Sequence, residues 1–208
     1  MPSENITALE VRISEMKPIE TFYNGYRFRS RLEARWAVFF DALGVEYDYE
    51  PEGFDLGNGL YYLPDFKIKC WGTRGEINDK PFDLWIEVKG EMTQEDADKI
   101  YEFAGQIVYY DQWSMYKIEN PVLVVGNIPH PYTYFDSMYN YKEMNGIRIY
   151  PWNYETIDGD YYAAYPAVKD GRFYLDGADY MTMNPYVIRD AFVKARQARL
   201  EHGETPTI

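Results

Sequence analysis

The sequence predicts a mixed α/β fold, and three observations carry that expectation. A capped, amphipathic helical pattern spans 31–43; strand-like alternation marks 45–49, 60–69 and 85–90; and a continuous apolar run at 122–125 follows a second capped helical pattern. In the first helix Ser30 and Glu33 match a capping box, Leu32, Trp36, Phe39, Phe40 and Leu43 recur at helical spacing, and Gly44 supplies the stop. Val45, Tyr47 and Tyr49 then alternate with Glu46, Asp48 and Glu50, which describes a half-buried strand ending at Pro51 and the Glu52-Gly53 turn. The Asn58-Gly59 pair marks a turn before the next strand, at about 60–69, which carries Asp65. Residues 70–83 hold Gly72, Gly75, Asn78, Asp79 and Pro81 and are expected to form a loop or irregular hairpin extension. From Trp85 to Gly90 a strand is expected, with Ile86 and Val88 facing one way and Glu87 and Lys89 the other. Thr93 and Asp96 make another capping box, opening a helix over roughly 94–104 with Ala97, Ile100, Tyr101 and Ala104 on its apolar side. Val122 to Val125, ended by Gly126, suits a strand buried on both faces.

Four regions follow from this pattern: an N-terminal arm at 1–20, a core at 21–130, an accessory β-rich region with a closing helix at 131–202, and a tail at 203–208. The change of character past residue 129 is marked by tyrosine, since much of the chain's total of 22 lies there while long aliphatic runs do not. Within it, 146–150 and the two arms around Lys169-Asp170-Gly171-Arg172 resemble strands, the latter pair as a hairpin. The closing helix, roughly 186–201, sets Ile188, Ala191, Ala195 and Ala198 against Arg189, Lys194, Arg196 and Arg199.

Composition narrows the functional classes. A hydrophobic fraction of 46% over 208 residues supports a sizeable core and argues against general disorder. The N-terminus lacks the basic and apolar blocks of a signal peptide and no apolar run reaches the length of a membrane span, so a cytoplasmic protein is expected. The single cysteine, Cys70, excludes an intramolecular disulfide framework and a multi-thiolate zinc site, and is expected to be structural. His130 and His202 are too isolated for a metal pair or a catalytic base. A net charge of −13 opposes nucleic-acid binding globally, but Arg27, Arg29, Arg31 and Arg35 form a local basic cluster broken only by Glu33.

The chemistry is concentrated at Pro64-Asp65 and at Glu87-Val88-Lys89. Phosphodiester hydrolysis needs an activated water, neutralisation of the phosphate and stabilisation of the leaving oxygen, which divalent metals supply. Magnesium takes hard oxygen ligands and keeps several waters, so a few carboxylates suffice. Asp65 and Glu87 are the candidate direct ligands, with the main-chain carbonyl of Val88 as a further oxygen; Lys89, on the face of Glu87, is placed to orient the water or hold a phosphate oxygen. Glu33 reads either as a cap or as a third supporting acid. The four arginines read as phosphate contacts or as a solvated face, and the same choice applies to Arg189, Arg196 and Arg199. The C-terminal tyrosines fit structural packing better than base stacking.

These blocks resemble the PD-(D/E)xK nuclease superfamily in the compact forms common in bacteriophages and prophages. The matching residues are Tyr26 to Trp36, Tyr49 to Phe54, Tyr62-Leu63-Pro64-Asp65-Phe66 and Trp85-Ile86-Glu87-Val88-Lys89-Gly90, in order, within roughly 22–126. The resemblance implies a restriction-endonuclease-like core, a small mixed sheet flanked by helices, with Asp65 and Glu87 as metal ligands, Lys89 as the catalytic lysine and Glu33 as the acid of the first helix. Gln106 and Tyr110 are similar to a glutamine-tyrosine element of exonuclease branches but are not assigned to the site.

The expected function is an Mg²⁺-dependent deoxyribonuclease, with Mn²⁺ able to substitute, acting on DNA in phage or prophage recombination, repair or restriction-like processing. A homodimer would supply two centres for double-strand cutting. The competing expectation is an idle module that binds nucleic acid, or an acidic imitation of DNA directed at a host defence factor.

Overall fold

The computed structural model describes residues 19–72, 81–106, 108–110, 117–119, 122–132, 142–144, 147–149, 153–155, 161–163, 165–169, 171–176 and 185–200. In chain order the strands are β1 (Thr21–Tyr23), β2 (Tyr26–Phe28), β3 (Tyr47–Tyr49), β4 (Phe54–Gly57), β5 (Leu60–Tyr62), β6 (Phe66–Gly72), β7 (Pro81–Val88), β8 (Val108–Tyr110), β9 (Lys117–Glu119), β10 (Val122–Val125), β11 (Lys142–Met144), β12 (Ile147–Ile149), β13 (Asn153–Glu155), β14 (Tyr161–Ala163), β15 (Tyr165–Lys169) and β16 (Arg172–Asp176). The helices are α1 (Arg31–Leu43), α2 (Gln94–Gln106) and α3 (Pro185–Gln197). The mixed α/β class expected from the sequence is therefore present.

Helix α1 begins where its sequence says it should. Ser30 is extended and its Oγ accepts from the Glu33 amide at 3.1 Å, while Gly44, at φ 68°, closes the other end with its N–H on the Asp41 and Phe40 carbonyls. The reciprocal half of the box is displaced by one residue, because the Glu33 carboxylate receives the Arg29 amide at 3.1 Å. Ser30→Ala should cost about 1 kcal/mol in a denaturant titration, the usual loss for an N-cap. Helix α2 carries the full reciprocal pair, Asp96 N–H to Thr93 Oγ1 and Thr93 N–H to Asp96 Oδ2, and runs two residues past the expected end.

The main sheet has six strands in the order β10-β7-β6-β16-β15, with β3 paired to the first half of β6. β6 and β7 are antiparallel from Phe66 opposite Ile86 to Trp71 opposite Pro81, and β10 lies parallel to β7 with Val125 opposite Val88. Leu123, Val124 and Val125 are all buried, as their continuous apolar run requires.

Three expectations are revised. The single strand at 60–69 is two strands separated by a step at Leu63-Pro64-Asp65, because Pro64 has no N–H to give a ladder; β5 instead folds back on β4 across Asn58 and Gly59, both at positive φ. The loop at 70–83 is shorter, since β6 runs to Gly72 and β7 starts at Pro81. The hairpin β15–β16, turning at Gly171, adds to the main sheet: β16 is parallel to the second half of β6, with Phe173 opposite Cys70. Cys70 is buried there as a structural residue. The strand expected at 146–150 appears as β12, paired with β11.

Two apolar layers cover the sheet. Phe66, Ile68, Cys70, Phe82, Leu84, Ile86 and Val88 meet Trp36, Phe39 and Phe40 of α1 and Phe192 of α3, where the Phe39 and Phe192 rings stack at 4.7 Å. On the opposite face Trp85 packs with Leu56 and Tyr62 of the β4–β5 hairpin and with Ala97, Ile100 and Phe103 of α2. Alternation along β7 thus sends its odd-numbered side chains, Glu87 included, toward α2. No helix among the described residues is long and apolar enough to cross a membrane. The arm at 1–18, the tail, His202 and most of the tyrosine-rich stretch lie outside the described residues.

Candidate active site

The ladder between β6 and β7 stops at Phe66 opposite Ile86, and the next residues on both strands supply the site. With no strand carbonyl to meet it, the Val88 N–H donates to Asp65 Oδ2 at 2.7 Å. Asp65 is held in turn by its own carbonyl, which accepts the Glu50 amide at 2.8 Å. On the same face Glu87 Oε2 accepts the Tyr62 hydroxyl at 2.6 Å, and Glu87 Oε1 lies 3.0 Å from Lys89 Nζ. The ammonium also reaches Asp96 Oδ1 at 3.1 Å, at the start of α2. The Lys89 amide donates to Val125, so β10 fixes the backbone from which the lysine projects. Glu87 and Lys89 therefore share one side of the strand as the period-two reading expected, and Asp65 joins them through the Val88 amide.

Glu33 stands behind this group. Its Oε1 accepts from the Ser30 hydroxyl at 2.6 Å, and its Oε2 from the Tyr49 hydroxyl at 2.5 Å and the Arg29 amide. It is both a cap and a neighbour of the site, coupled to Asp65 through Arg29, whose Nη2 donates to Asp65 Oδ1 at 2.6 Å. Arg29 also forms an ion pair from Nε to Glu50 Oε1 at 2.5 Å.

Burial makes this arrangement electrostatically demanding. Glu33, Asp65 and Glu87 are 7%, 2% and 3% exposed. Burial, then the charges of Glu87 and Glu33, push the Asp65 carboxyl up to about 8, against the pull of the Val88 amide and Arg29. Burial also raises Glu87, although Lys89 and Tyr62 oppose it. Burial and the Glu87 charge keep Tyr62 protonated and able to donate. For Lys89, burial works against the charge, but Glu87 and Asp96 outweigh it and keep the ammonium.

Hard oxygen donors and excess negative charge are what a divalent cation of the magnesium type requires. Among the described residues no three side chains of His, Cys, Asp and Glu converge as a metal group. Asp65 and Glu87 fit as a two-carboxylate set completed by the Val88 carbonyl and water. That carbonyl leaves the strand on the edge used by the Val88 N–H, the edge facing Asp65.

The basic residues divide. Arg29 is directed into the site, whereas Arg27 is exposed and pairs with Glu20; Arg31 and Arg35 are half-buried on α1. Arg196 donates to the Ile128 carbonyl at 2.9 Å, Arg189 pairs with Asp190 beside the Tyr132 and Tyr186 rings, and Arg199 is exposed. Gln106 donates to the Leu56 carbonyl, tying α2 to β4 away from the carboxylates, and the Tyr110 side chain lies outside the described residues. Tyr62, Tyr49, Glu50 and Asp96 were not read as site residues from the sequence. Tyr49, Glu50 and Tyr62 lie within the blocks that carry the resemblance, and Asp96 is marked by its capping box, but their contacts with Glu33, Arg29, Glu87 and Lys89 depend on tertiary structure. Comparison of the chain with models of protein families, with curated proteins and with solved structures gave no match.

Proposed function

We propose that the chain is a metal-dependent deoxyribonuclease of restriction-endonuclease-like architecture, with its centre at Asp65, Glu87 and Lys89. The observation that carries the reading is the burial of two mutually repelling carboxylates at one sheet end beside a lysine. Buried like charges are costly, and their retention at one end of a sheet points to a cation as ligand. The four sequence blocks of the PD-(D/E)xK resemblance supply the same residues in the same order.

Asp65 and Glu87 would hold Mg²⁺ or Mn²⁺, with the Val88 carbonyl as a third oxygen. When bound, such an ion supplies Lewis-acid activation of water and neutralises charge on the phosphate. Tyr62 fixes one oxygen of Glu87, leaving the other toward the lysine. Lys89, kept cationic by Glu87 and Asp96, orients the attacking water or holds a phosphate oxygen, acting as a positioned charge instead of a free base. Glu33 holds the Arg29 backbone from the helix side and adds negative potential. Arg27, Arg31 and Arg35 offer backbone contacts to DNA. An imitation of DNA has no chemical need to enclose Asp65 and Glu87 beside Lys89.

Calorimetric titration with Mg²⁺ and Mn²⁺ tests the metal. One site that disappears in Asp65→Asn is expected; equal binding by that variant removes the proposed centre. Because burial and the neighbouring acids raise the Asp65 carboxyl, metal must displace its proton, and the apparent Mg²⁺ affinity should fall as the pH is lowered, by about tenfold per unit once Asp65 is mostly protonated.

A further inference from the structure

Arg29 has two carboxylates within reach and satisfies only one. Its Nη2 hydrogen-bonds Asp65 Oδ1 at 2.6 Å. Its Nε lies 2.5 Å from Glu50 Oε1, yet that oxygen is buried and accepts no hydrogen bond. The contact with Glu50 is therefore a misaligned ion pair, and a buried oxygen without a donor is costly. The Arg29 backbone is fixed, its amide shared between Glu33 Oε2 and the Tyr49 hydroxyl at 3.1 and 3.0 Å, while its side chain is 53% exposed. An anchored backbone with a solvent-accessible guanidinium permits a change of partner without moving the fold.

We propose that Arg29 is a placeholder cation: it occupies Asp65 Oδ1 until a divalent ion arrives, then passes to Glu50 and presents its remaining donors to a phosphate oxygen of the substrate. The proposal rests on the reading of Asp65 as a metal ligand. Asp65 Oδ1 cannot serve both cations at bonding distance, because the guanidinium and the divalent ion repel each other there. Glu50 Oε1 offers the displaced guanidinium an acceptor that currently has no hydrogen bond. A guanidinium has five donors, more than one carboxylate oxygen can take, so donors remain for phosphate. Metal and DNA would then bind cooperatively, with Arg29 as the link.

The sign of a substitution separates this role from a merely structural one. If Arg29 only oriented Asp65, its loss would weaken metal binding; if it competes for Asp65, its loss strengthens it. In the alkaline range, where Asp65 has released its proton and only the two cations compete for it, Mg²⁺ titration by calorimetry should show Arg29→Gln binding tighter than wild type by about tenfold or more, with Arg29→Lys close to wild type because it keeps the charge. Glu50→Gln should weaken binding in the Arg29 protein and have much less effect beside Arg29→Gln. In a Lys89→Ala background, which prevents turnover, Mg²⁺ should tighten binding of a fluorescent DNA duplex, and Arg29→Gln should remove that enhancement. Metal affinity unchanged or lowered in Arg29→Gln, or an equal Mg²⁺ enhancement of DNA binding without Arg29, overturns the exchange while leaving the metal site standing. Absence of Asp65-dependent Mg²⁺ binding in both proteins overturns the exchange together with the functional reading beneath it.

Discussion

Glu87→Gln is expected to lower Mg²⁺-dependent cleavage of DNA by about a thousandfold or more and, in the same protein, to raise the melting temperature without metal. The first effect follows from removing one of only two proposed carboxylate ligands. The second follows from burial. Glutamine has nearly the shape of glutamate: its amide oxygen can accept from Lys89 while its NH2 donates to the Tyr62 hydroxyl oxygen, and no ionised group has to be kept out of water at 3% exposure. A rise of about 2–4 °C for each kcal/mol regained is the scale for a chain of this size. The pH dependence has a definite sign. A carboxyl held above its unfolded value keeps a proton that the unfolded chain has released, so its contribution is complete below about pH 4 and is lost as the pH rises. For Asp65 that loss runs up to about 8. Metal-free protein should therefore melt lower at pH 8 than at pH 6 from this source, and Mg²⁺ should restore the difference. Opposite movement of activity and stability in one conservative variant distinguishes a ligand from a packing residue.

Phe192→Ala is expected to cost about 3–5 kcal/mol, which lowers the melting temperature by about 6–20 °C. Phe192 is fully buried, stacks on Phe39 and meets the Trp36 ring edge-on. Trp36 in turn donates to the Gly126 carbonyl at 2.9 Å, and Arg196 holds the Ile128 carbonyl, so α3 braces the segment leaving β10 as well as α1. A helix of an accessory layer would lose far less on such a change. Tyr186→Ala, on the exposed side of the same helix, should stay within about 0.5 kcal/mol. The contrast measures how much of the core the C-terminal helix supplies.

The parts of the fold that were legible are those written locally. Ser30, Glu33 and Gly44 mark both ends of α1, Thr93 and Asp96 open α2, and four consecutive apolar residues mark β10, since caps and burial depend on neighbours in sequence. The parallel pairing of β16 with β6 left no such mark. Cys70 and Phe173 meet only after the intervening chain has folded, and a strand buried by a distant partner reads like any other hairpin arm. At the site, alternation was enough to put Glu87 and Lys89 on one face. It did not show that the chain steps at Pro64, which is why Asp65 reaches the Val88 amide from an irregular turn and not from within a strand. Arg29 illustrates a different limit. Its charge and its neighbours Arg27 and Arg31 were visible, but the direction of one guanidinium depends on Glu50 and Asp65, which reach it through tertiary structure.

The most direct measurement is cleavage of linear, circular, single-stranded and branched DNA, and of RNA, by purified protein with Mg²⁺, beside Lys89→Ala. Lys89 is one-quarter exposed but offsets the buried Glu87 charge, so a melting curve of the variant accompanies the assay to separate lost chemistry from lost fold. Cleavage of DNA by wild type, its loss on chelation of metal and its absence in Lys89→Ala are the predicted results. No cleavage of any substrate by wild type, or undiminished cleavage by Lys89→Ala, would contradict a centre built on Asp65, Glu87 and Lys89.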